Sequence, residues 1–364
     1  MSQNVLPLCL FCEWVNLSSR IATNTTSKDV VIDIANKYNI DQQQLLEIIK
    51  PITQFEELLS DSVNSTADDF QFFFAPINDD KITFAQTFTR LYHNPSEYQR
   101  RDFSDVPSKD WVKTFAHSLS DMLDEEDGKH FIKKHNITDA QSLVAVVVAS
   151  DLEESIKYRF SIAITQPSWC IERLWNMFEP YQELWQKHEA QLQQFAFNSL
   201  QAWLNKYDNV VDLIDEKVNV QGIDSFKNVN IIPSIFNFNT LSIIEKDPFL
   251  NSLKHPTLHI GSMIFDLSDA VKVMPQENER LLMVLKTLSD KSKFEILRVC
   301  KDNPMYGQQV ATHLQITTAT ASYHLNALVN MGYLSLNVKA NRIYYQSKPD
   351  RIQTDLELIK HIFE

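Results

Sequence analysis

Apolar residues recur at two different periods along this 364-residue chain, and the change of period divides it into elements. Spacings of three and four put side chains on one face of a helix, whereas alternation or a short continuous apolar run marks a strand. Asp41 is placed to cap a helix carrying Leu45, Leu46, Ile48 and Ile49. The run DFQFFFAPI, ending at Ile77, predicts a buried strand stopped by the turn signal NDD at 78–80, and Ile82, Phe84, Phe88 and Leu91 predict a helix after it. Trp111, Phe115, Leu119, Met122 and Leu123 form a further helical face behind the polar stretch SDVPSKD. SLVAVVVAS at 142–150 fits either a buried helix or a strand, and RFSIAITQ at 159–166 fits a strand. From 169 to about 207, Leu174, Trp175, Phe178, Tyr181, Leu184, Trp185, Leu192, Phe195, Trp203 and Leu204 predict a long helical tract interrupted or kinked at Pro180. Aromatics at that spacing read as packing residues, because any core helix looks this way. Two β-rich segments follow, VNIIPSIFNFNTLSII at 229–244 and TLHIGSMIF at 257–265, and a boundary falls near DLSDAVKVMPQENE at 266–279.

Beyond that boundary the pattern sharpens. ENERLLMVLKTLS puts Leu281, Leu285 and Leu288 on one face, with Val284 beside it. Ser289 is placed to cap the next helix, DKSKFEILRVCK, whose Phe294, Ile296 and Leu297 feed a small core. After Asn303 and Pro304, YGQQVATHL predicts a short helix with Val310 and Leu314 inward and the small Ala311 at a helix crossing. Gln315, Ile316 and Thr317 form a turn, and Thr317 is placed to satisfy an otherwise unpaired amide as N-cap of the following helix. Ala321, Leu325 and Leu328 hold one side of that helix against the core, leaving Thr318, Ala319, Ser322, Tyr323 and Asn326 on the other. Gly332 is suited to end it, YLSLNV and RIYYQ form a hairpin, and Lys339, Ala340 and Asn341 supply its tip. Short and planar polar groups let a helix backbone approach a major groove, while Lys339 and Arg342 on the hairpin reach flanking phosphate or the minor groove. This is the pattern of a winged helix-turn-helix. At the chain end Ile352, Leu356, Ile359 and Phe363 form a stripe that either covers the module's own core or joins Leu281, Leu285 and Leu288 in a two-fold contact.

Charge supports this division. The formal net charge is -13, yet residues 271–364 carry +3 and residues 1–270 carry -16. Within 286–348 the balance is +5, so a modestly basic module is attached to an acidic body. Several classes of chemistry are missing their signatures. Only five glycines are present and no GxGxxG or GxxxxGK, which phosphate-cradling loops need. HExxH and GxSxG are absent, and the ten histidines are dispersed. Cys9, Cys12, Cys170 and Cys300 resemble neither a disulfide framework nor a four-ligand zinc site, and the CxxC at Cys9 and Cys12 reads as buried apolar filler rather than a redox or metal site. The longest strongly apolar run is far short of a bilayer crossing, and the N-terminus shows no basic leader, so a cytoplasmic location is expected.

LKTLSDKSKFEILRVC, QQVATHLQITTATASYHLNALVNMGYL and NRIYY resemble, in order, the successive signatures of the ArsR-type winged helix family of bacterial transcription regulators, over about a quarter of the chain. The resemblance implies a homodimer binding double-stranded operator DNA, most often as a repressor, with dimer contacts from the first and last helices of the module. It puts Thr318, Thr320, Ser322, Tyr323 and His324 at recognition-helix positions and Lys339 and Arg342 on the wing; Thr317 and Asn326 complete the expected DNA-binding set. His324, beside inward Leu325, is as well suited to packing or phosphate contact as to reading a base. The expected dimerisation residues are Leu281, Leu285, Leu288, Ile352, Leu356, Ile359 and Phe363. Two features depart from the family. PMYGQQVATHL lacks the cysteines that metal-sensing members carry on that helix, so neither a metal nor another cofactor is expected there, and the wing is about one residue short and lacks its tip glycine.

The expected fold is α+β: a large, mixed, mainly helical acidic domain over 1–270 followed by a winged helix-turn-helix domain over 277–364. The order of segments around VNIIPSIFNFNT and HPTLHIGSMIF resembles the long N-terminal region of some ArsR-type regulators, and implies sensing of a small-molecule or protein effector, support of dimerisation, or both. The expected function is a sequence-specific transcriptional regulator, not an enzyme. The alternatives are a winged helix serving protein contact without DNA, or an enzyme activity in the N-terminal domain that shows no motif.

Overall fold

The computed structural model describes residues 2–38, 40–77, 82–92, 94–123, 128–207, 209–218, 220–221, 228–244, 256–272, 277–339 and 342–362. The fold is mainly helical with some sheet, and the chain forms two compact units. One comprises Ser2–Ala202 and Asn228–Leu267; the other comprises Trp203–Lys227 and Ser268–Glu364. Residues 203–227, which sequence assigns to the N-terminal domain, thus cluster with the C-terminal stretch.

The larger unit is built around aromatic side chains. Phe11 stacks on Trp175 with ring centroids 4.5 Å apart at 8°. Buried indole N–H groups need acceptors: Trp14 donates to the Ser62 carbonyl at 3.1 Å, Trp185 to the Ser62 hydroxyl at 3.0 Å, and Trp175 to the Tyr92 hydroxyl at 2.7 Å. Beside this core lies a four-stranded sheet. Ser2–Val5, Asn228–Ser234 and Thr257–Gly261 run parallel, and Leu241–Ile244 pairs antiparallel with Thr257–Gly261 at the edge. A Cβ on Gly261 would lie 2.3 Å from the Asn237 carbonyl oxygen, so the loop after Ser234 can pack there only against glycine. The buried Glu13 carboxylate fastens the same loop to the helix Leu10–Ala22, accepting from Ser234 Oγ at 2.7 Å, Ile235 N at 3.0 Å and Phe236 N at 2.9 Å.

Two segments expected as strands are helices. DFQFFFAPI contains the helix Phe70–Phe74, in which Phe70, Phe73 and Phe74 are buried at i, i+3 and i+4. RFSIAITQ lies mostly within the helix Glu154–Thr165, where Ile156, Phe160, Ala163 and Ile164 line the buried face. In both cases aromatic and β-branched content suggests a strand, yet the residues that find cover repeat at helical spacing. Arg159 reinforces the second helix by donating to the Ala75 carbonyl at 2.8 Å. SLVAVVVAS resolves as the helix Ala140–Ala149, started by a capping box between Asp139 and Ser142. The tract after 167 is two helices, Pro167–Phe178 and Gln182–Leu204, joined by a 3₁₀ turn containing Pro180. Phe84 precedes the short helix Gln86–Thr89 rather than lying in it.

The second unit contains the helices Glu277–Ser289, Lys291–Asp302, Gly307–Leu314, Thr318–Asn330 and Pro349–Ile362, with a hairpin of Leu334–Lys339 and Arg342–Ser347. Val284, Ile296, Leu297, Cys300, Val310, Ala311, Ala321, Leu325, Leu328, Tyr333 and Leu334 form its core. The hairpin is the centre of a four-stranded sheet. Met305–Tyr306 pairs with Arg342–Ser347, and Val220–Gln221 pairs in parallel with Leu336 and Asn337 on the opposite edge. The short helix Val210–Val218 leads directly to that edge strand, and Ser268 and Asp269 hold its end: Lys217 Nζ pairs with Asp269 and Ser268 Oγ donates to the Lys217 carbonyl.

Candidate nucleic-acid interface

A turn of three residues joins the helices Gly307–Leu314 and Thr318–Asn330. Gln315, at φ 57°, is in the left-handed region and ends the first helix. Thr317 starts the second: its hydroxyl accepts the Thr320 N–H at 3.1 Å and lies 2.8 Å from the Thr320 hydroxyl. Both hydroxyls at this helix start are therefore engaged with one another, although Thr317 and Thr320 are exposed. The other end stops at Gly332, whose φ of +74° suits a residue without Cβ.

Between these stops the helix Thr318–Asn330 has two unlike sides. Ala321, Leu325 and Leu328 are completely buried. Tyr323 is 51% exposed and Asn326 is exposed, whereas Thr318 and Ser322 are half-buried. Tyr323 is flanked on two sides: the Lys293 ammonium lies over its ring, 5.8 Å from the centroid, and the His324 ring makes an edge contact at 5.4 Å. A large planar side chain braced this way presents its hydroxyl without losing much further conformational freedom on binding.

His324 faces the module rather than solvent. Its Nδ1 is buried and lies 4.0 Å from Asp290 Oδ1, beyond hydrogen-bond reach, and burial lowers its pKa. Asp290 in turn caps the helix Lys291–Asp302, accepting the Lys293 N–H at 2.9 Å. Asp290, not the neighbouring Ser289, is thus the cap of that helix; Ser289 Oγ turns back to the Lys286 carbonyl. Asp290 and Lys293 belong to the setting of Tyr323 and His324. Sequence gives only a weak signal for this, since the contact joins residues about thirty positions apart.

A second charged group lies on the helix Lys291–Asp302. Arg298 donates twice to Glu295, at 2.9 and 2.6 Å, and His313 Nε2 lies 3.2 Å from the same carboxylate. The hydrogen bonds from Arg298 and His313 hold Glu295 down at about 2. Arg298 is therefore not a bare cation.

The backbones of Lys339 and Arg342 face each other at the end of the hairpin, the last pair in its antiparallel register. Their side chains, and the tip residues Ala340 and Asn341, lie outside the described residues. The expected apolar seam divides in two. Leu281 is buried and Leu288, Ile352 and Ile359 pack on the module's own core, whereas Leu285 and Leu356 are each 47% exposed, accompanied by Leu282 at 58%. Phe363 lies outside the described residues. Phe294, expected in the core, is 57% exposed: Ile296, Leu297 and Cys300 fill the inward side of its helix.

Among the described residues no three His, Cys, Asp or Glu side chains converge as a metal site, and no helix is long and apolar enough to cross a membrane. Residues 290–335, from the Asp290 cap to the first strand of the hairpin, match the family model described as bacterial regulatory protein, arsR family. No curated protein matches the chain.

Proposed function

We propose that this protein is a sequence-specific DNA-binding transcription regulator of the ArsR type, with a winged helix-turn-helix as its reading head. The observation that carries the reading is the two-sided helix Thr318–Asn330, inside the matched segment, with its aliphatic side sealed by Ala321, Leu325 and Leu328 while Tyr323 and Asn326 face solvent. Such a helix is slim enough to enter a major groove and carries an amide and a phenol for base edges or phosphates. Thr318, Thr320 and Ser322 are the short polar groups flanking these two. Thr317 acts through the helix start and His324 through packing against the Asp290 cap. Lys339 and Arg342 on the wing supply phosphate or minor-groove contacts.

The protein acts as a homodimer in the cytoplasm, with Leu285 and Leu356 at the centre of the two-fold contact and the packed residues Leu281, Leu288, Ile352 and Ile359 beneath them. Pairing two recognition helices one helical turn of DNA apart favours an inverted-repeat operator, and occupancy of that operator represses transcription. The larger unit senses an effector, and it shifts DNA affinity only to the extent that the effector binds the DNA-competent form with different affinity.

Selection from random duplex DNA with the intact protein, repeated with Tyr323→Ala and Arg342→Ala, tests this. Enrichment of an inverted repeat, lost with the first variant and weakened without change of sequence with the second, is the expected result. An intact protein that enriches no duplex at low ionic strength would overturn the reading and favour a protein-contact role for the module. Measuring at several salt concentrations separates base reading from phosphate attraction.

A further inference from the structure

Cys9 and Cys12 flank the first turn of the helix Leu10–Ala22, in a part of the protein that DNA reading does not use. Cys9 is the N-cap residue, and its Sγ accepts the Cys12 N–H at 3.4 Å. Cys12 Sγ donates to the Thr89 carbonyl at 3.9 Å. Both are free; Cys9 is buried and Cys12 is partly exposed. From sequence the pair reads as apolar filler, and the geometry changes that reading because the Cys9 sulfur sits against the backbone N–H of Cys12 itself.

Residues three apart across a helical turn have Cβ atoms about 5–6 Å apart, while a disulfide brings them to about 3.5–4.5 Å. The gap is small, and Cys9 has freedom to close it. As N-cap it has extended backbone, φ -91° and ψ 104°, and lies outside the regular helix. Glu13, next to Cys12, stays anchored to Ser234, Ile235 and Phe236, so the following turn of helix provides a fixed base for the closure.

We infer that Cys9 and Cys12 form a redox-active dithiol that closes to an intramolecular disulfide by exchange with a small-molecule disulfide. The more accessible Cys12, as thiolate, attacks one sulfur of the small disulfide, forming a mixed disulfide and releasing one small thiolate. Cys9, as thiolate, then attacks the Cys12 sulfur, closing the Cys9–Cys12 bond and releasing the second small thiolate. The two protons lost by the cysteines pass to the two small thiolates. Two protein thiols are thereby oxidised and one small disulfide is reduced to two thiols. Burial and the neighbouring Cys9 and Glu13 side chains hold the Cys12 thiol well above its ordinary pKa, so the first step is slow at neutral pH and quickens as pH rises.

The test uses the reduced, full-length protein incubated with oxidised glutathione, acid-quenched, alkylated and mapped by mass spectrometry. Two of the four thiols should disappear, the intact mass should fall by two hydrogens, and Cys9 and Cys12 should be linked within one peptide, with dithiothreitol restoring all four. The rate should rise about tenfold per pH unit below the Cys12 pKa. Cys9→Ser should instead accumulate a stable glutathione adduct on Cys12. The wild-type measurement decides the matter even if that variant folds poorly: four thiols retained, a persistent adduct on wild-type Cys12, or a link to Cys170 or Cys300 would each overturn the inference.

Discussion

The phenol of Tyr333 donates to the completely buried carboxylate of Asp355 at 3.0 Å, joining the end of the helix Thr318–Asn330 to the helix Pro349–Ile362. Arg351 approaches the other oxygen of that carboxylate at 3.6 Å, and the Tyr333 carbonyl accepts the Lys348 N–H at 2.8 Å. The residue just past Gly332 is thus pinned through its side chain and its backbone. Replacing Tyr333 with Phe keeps the ring and removes one partner of a buried carboxylate, which costs about 1–3 kcal/mol. Urea unfolding of the full chain should show a lowered midpoint with unchanged slope; an unmoved midpoint would show that Asp355 does not depend on the Tyr333 phenol.

Two kinds of substitution on the helix Thr318–Asn330 should separate cleanly. Leu325→Ala opens a cavity in a filled core and should cost about 2–5 kcal/mol of stability. Tyr323→Ala and Asn326→Ala remove exposed groups and should change stability by less than about 0.5 kcal/mol. If either reads a base, sequence discrimination should fall by about 1–3 kcal/mol. Paired melting and binding measurements check this, and a Tyr323→Ala protein that melts early but still discriminates operator would assign Tyr323 to packing.

Leu285 and Leu356 are each half exposed on helices that contact one another, and burying them requires another surface. The double variant Leu285→Glu, Leu356→Glu should sediment as a monomer and lose preference for an inverted repeat over a single half-site. A variant that sediments like the wild type would exclude Leu285 and Leu356 from self-association.

His259 is half-buried in the strand Thr257–Gly261, and desolvation lowers its pKa to about 4. An unfolded histidine titrates near 6.5, so between those values the unfolded chain binds the extra proton. Stability contributed by neutral His259 is therefore fully present above about pH 6.5 and is lost as pH falls toward 4, by up to about 3 kcal/mol. Glu13, pushed upward by burial against its three hydrogen bonds, has the opposite pH trend, so the measurement is the difference between wild type and His259→Gln. That difference should vary across pH 4–6.5 and be flat above; a difference that is constant throughout would contradict an imidazole held neutral in the folded state.

What could be read in advance was local. Thr317 caps, Gly332 stops, and Ala321, Leu325 and Leu328 anchor because each needs only its near neighbours in sequence, and the resulting helix is the one expected. RFSIAITQ misled because β-branched and aromatic residues suit any half-buried surface, and the deciding contacts of Arg159 lie some eighty positions away. Phe294 and Leu285 show a different gap. Periodicity marks a residue as apolar but does not say whether the chain itself will cover it. Nothing in the bare text around Val220 and Gln221 points to Leu336 and Asn337 as their partners.

That last pairing has a consequence for how the protein is made and cut. The edge strand of the C-terminal sheet comes from more than a hundred residues upstream of its partner, so a chain leaving the ribosome must keep Val220–Gln221 waiting until the hairpin emerges. A fragment liberated by cleavage near residue 277 would carry all five helices but leave Leu336 and Asn337 with an open backbone edge, inviting β-addition by a neighbouring molecule and aggregation.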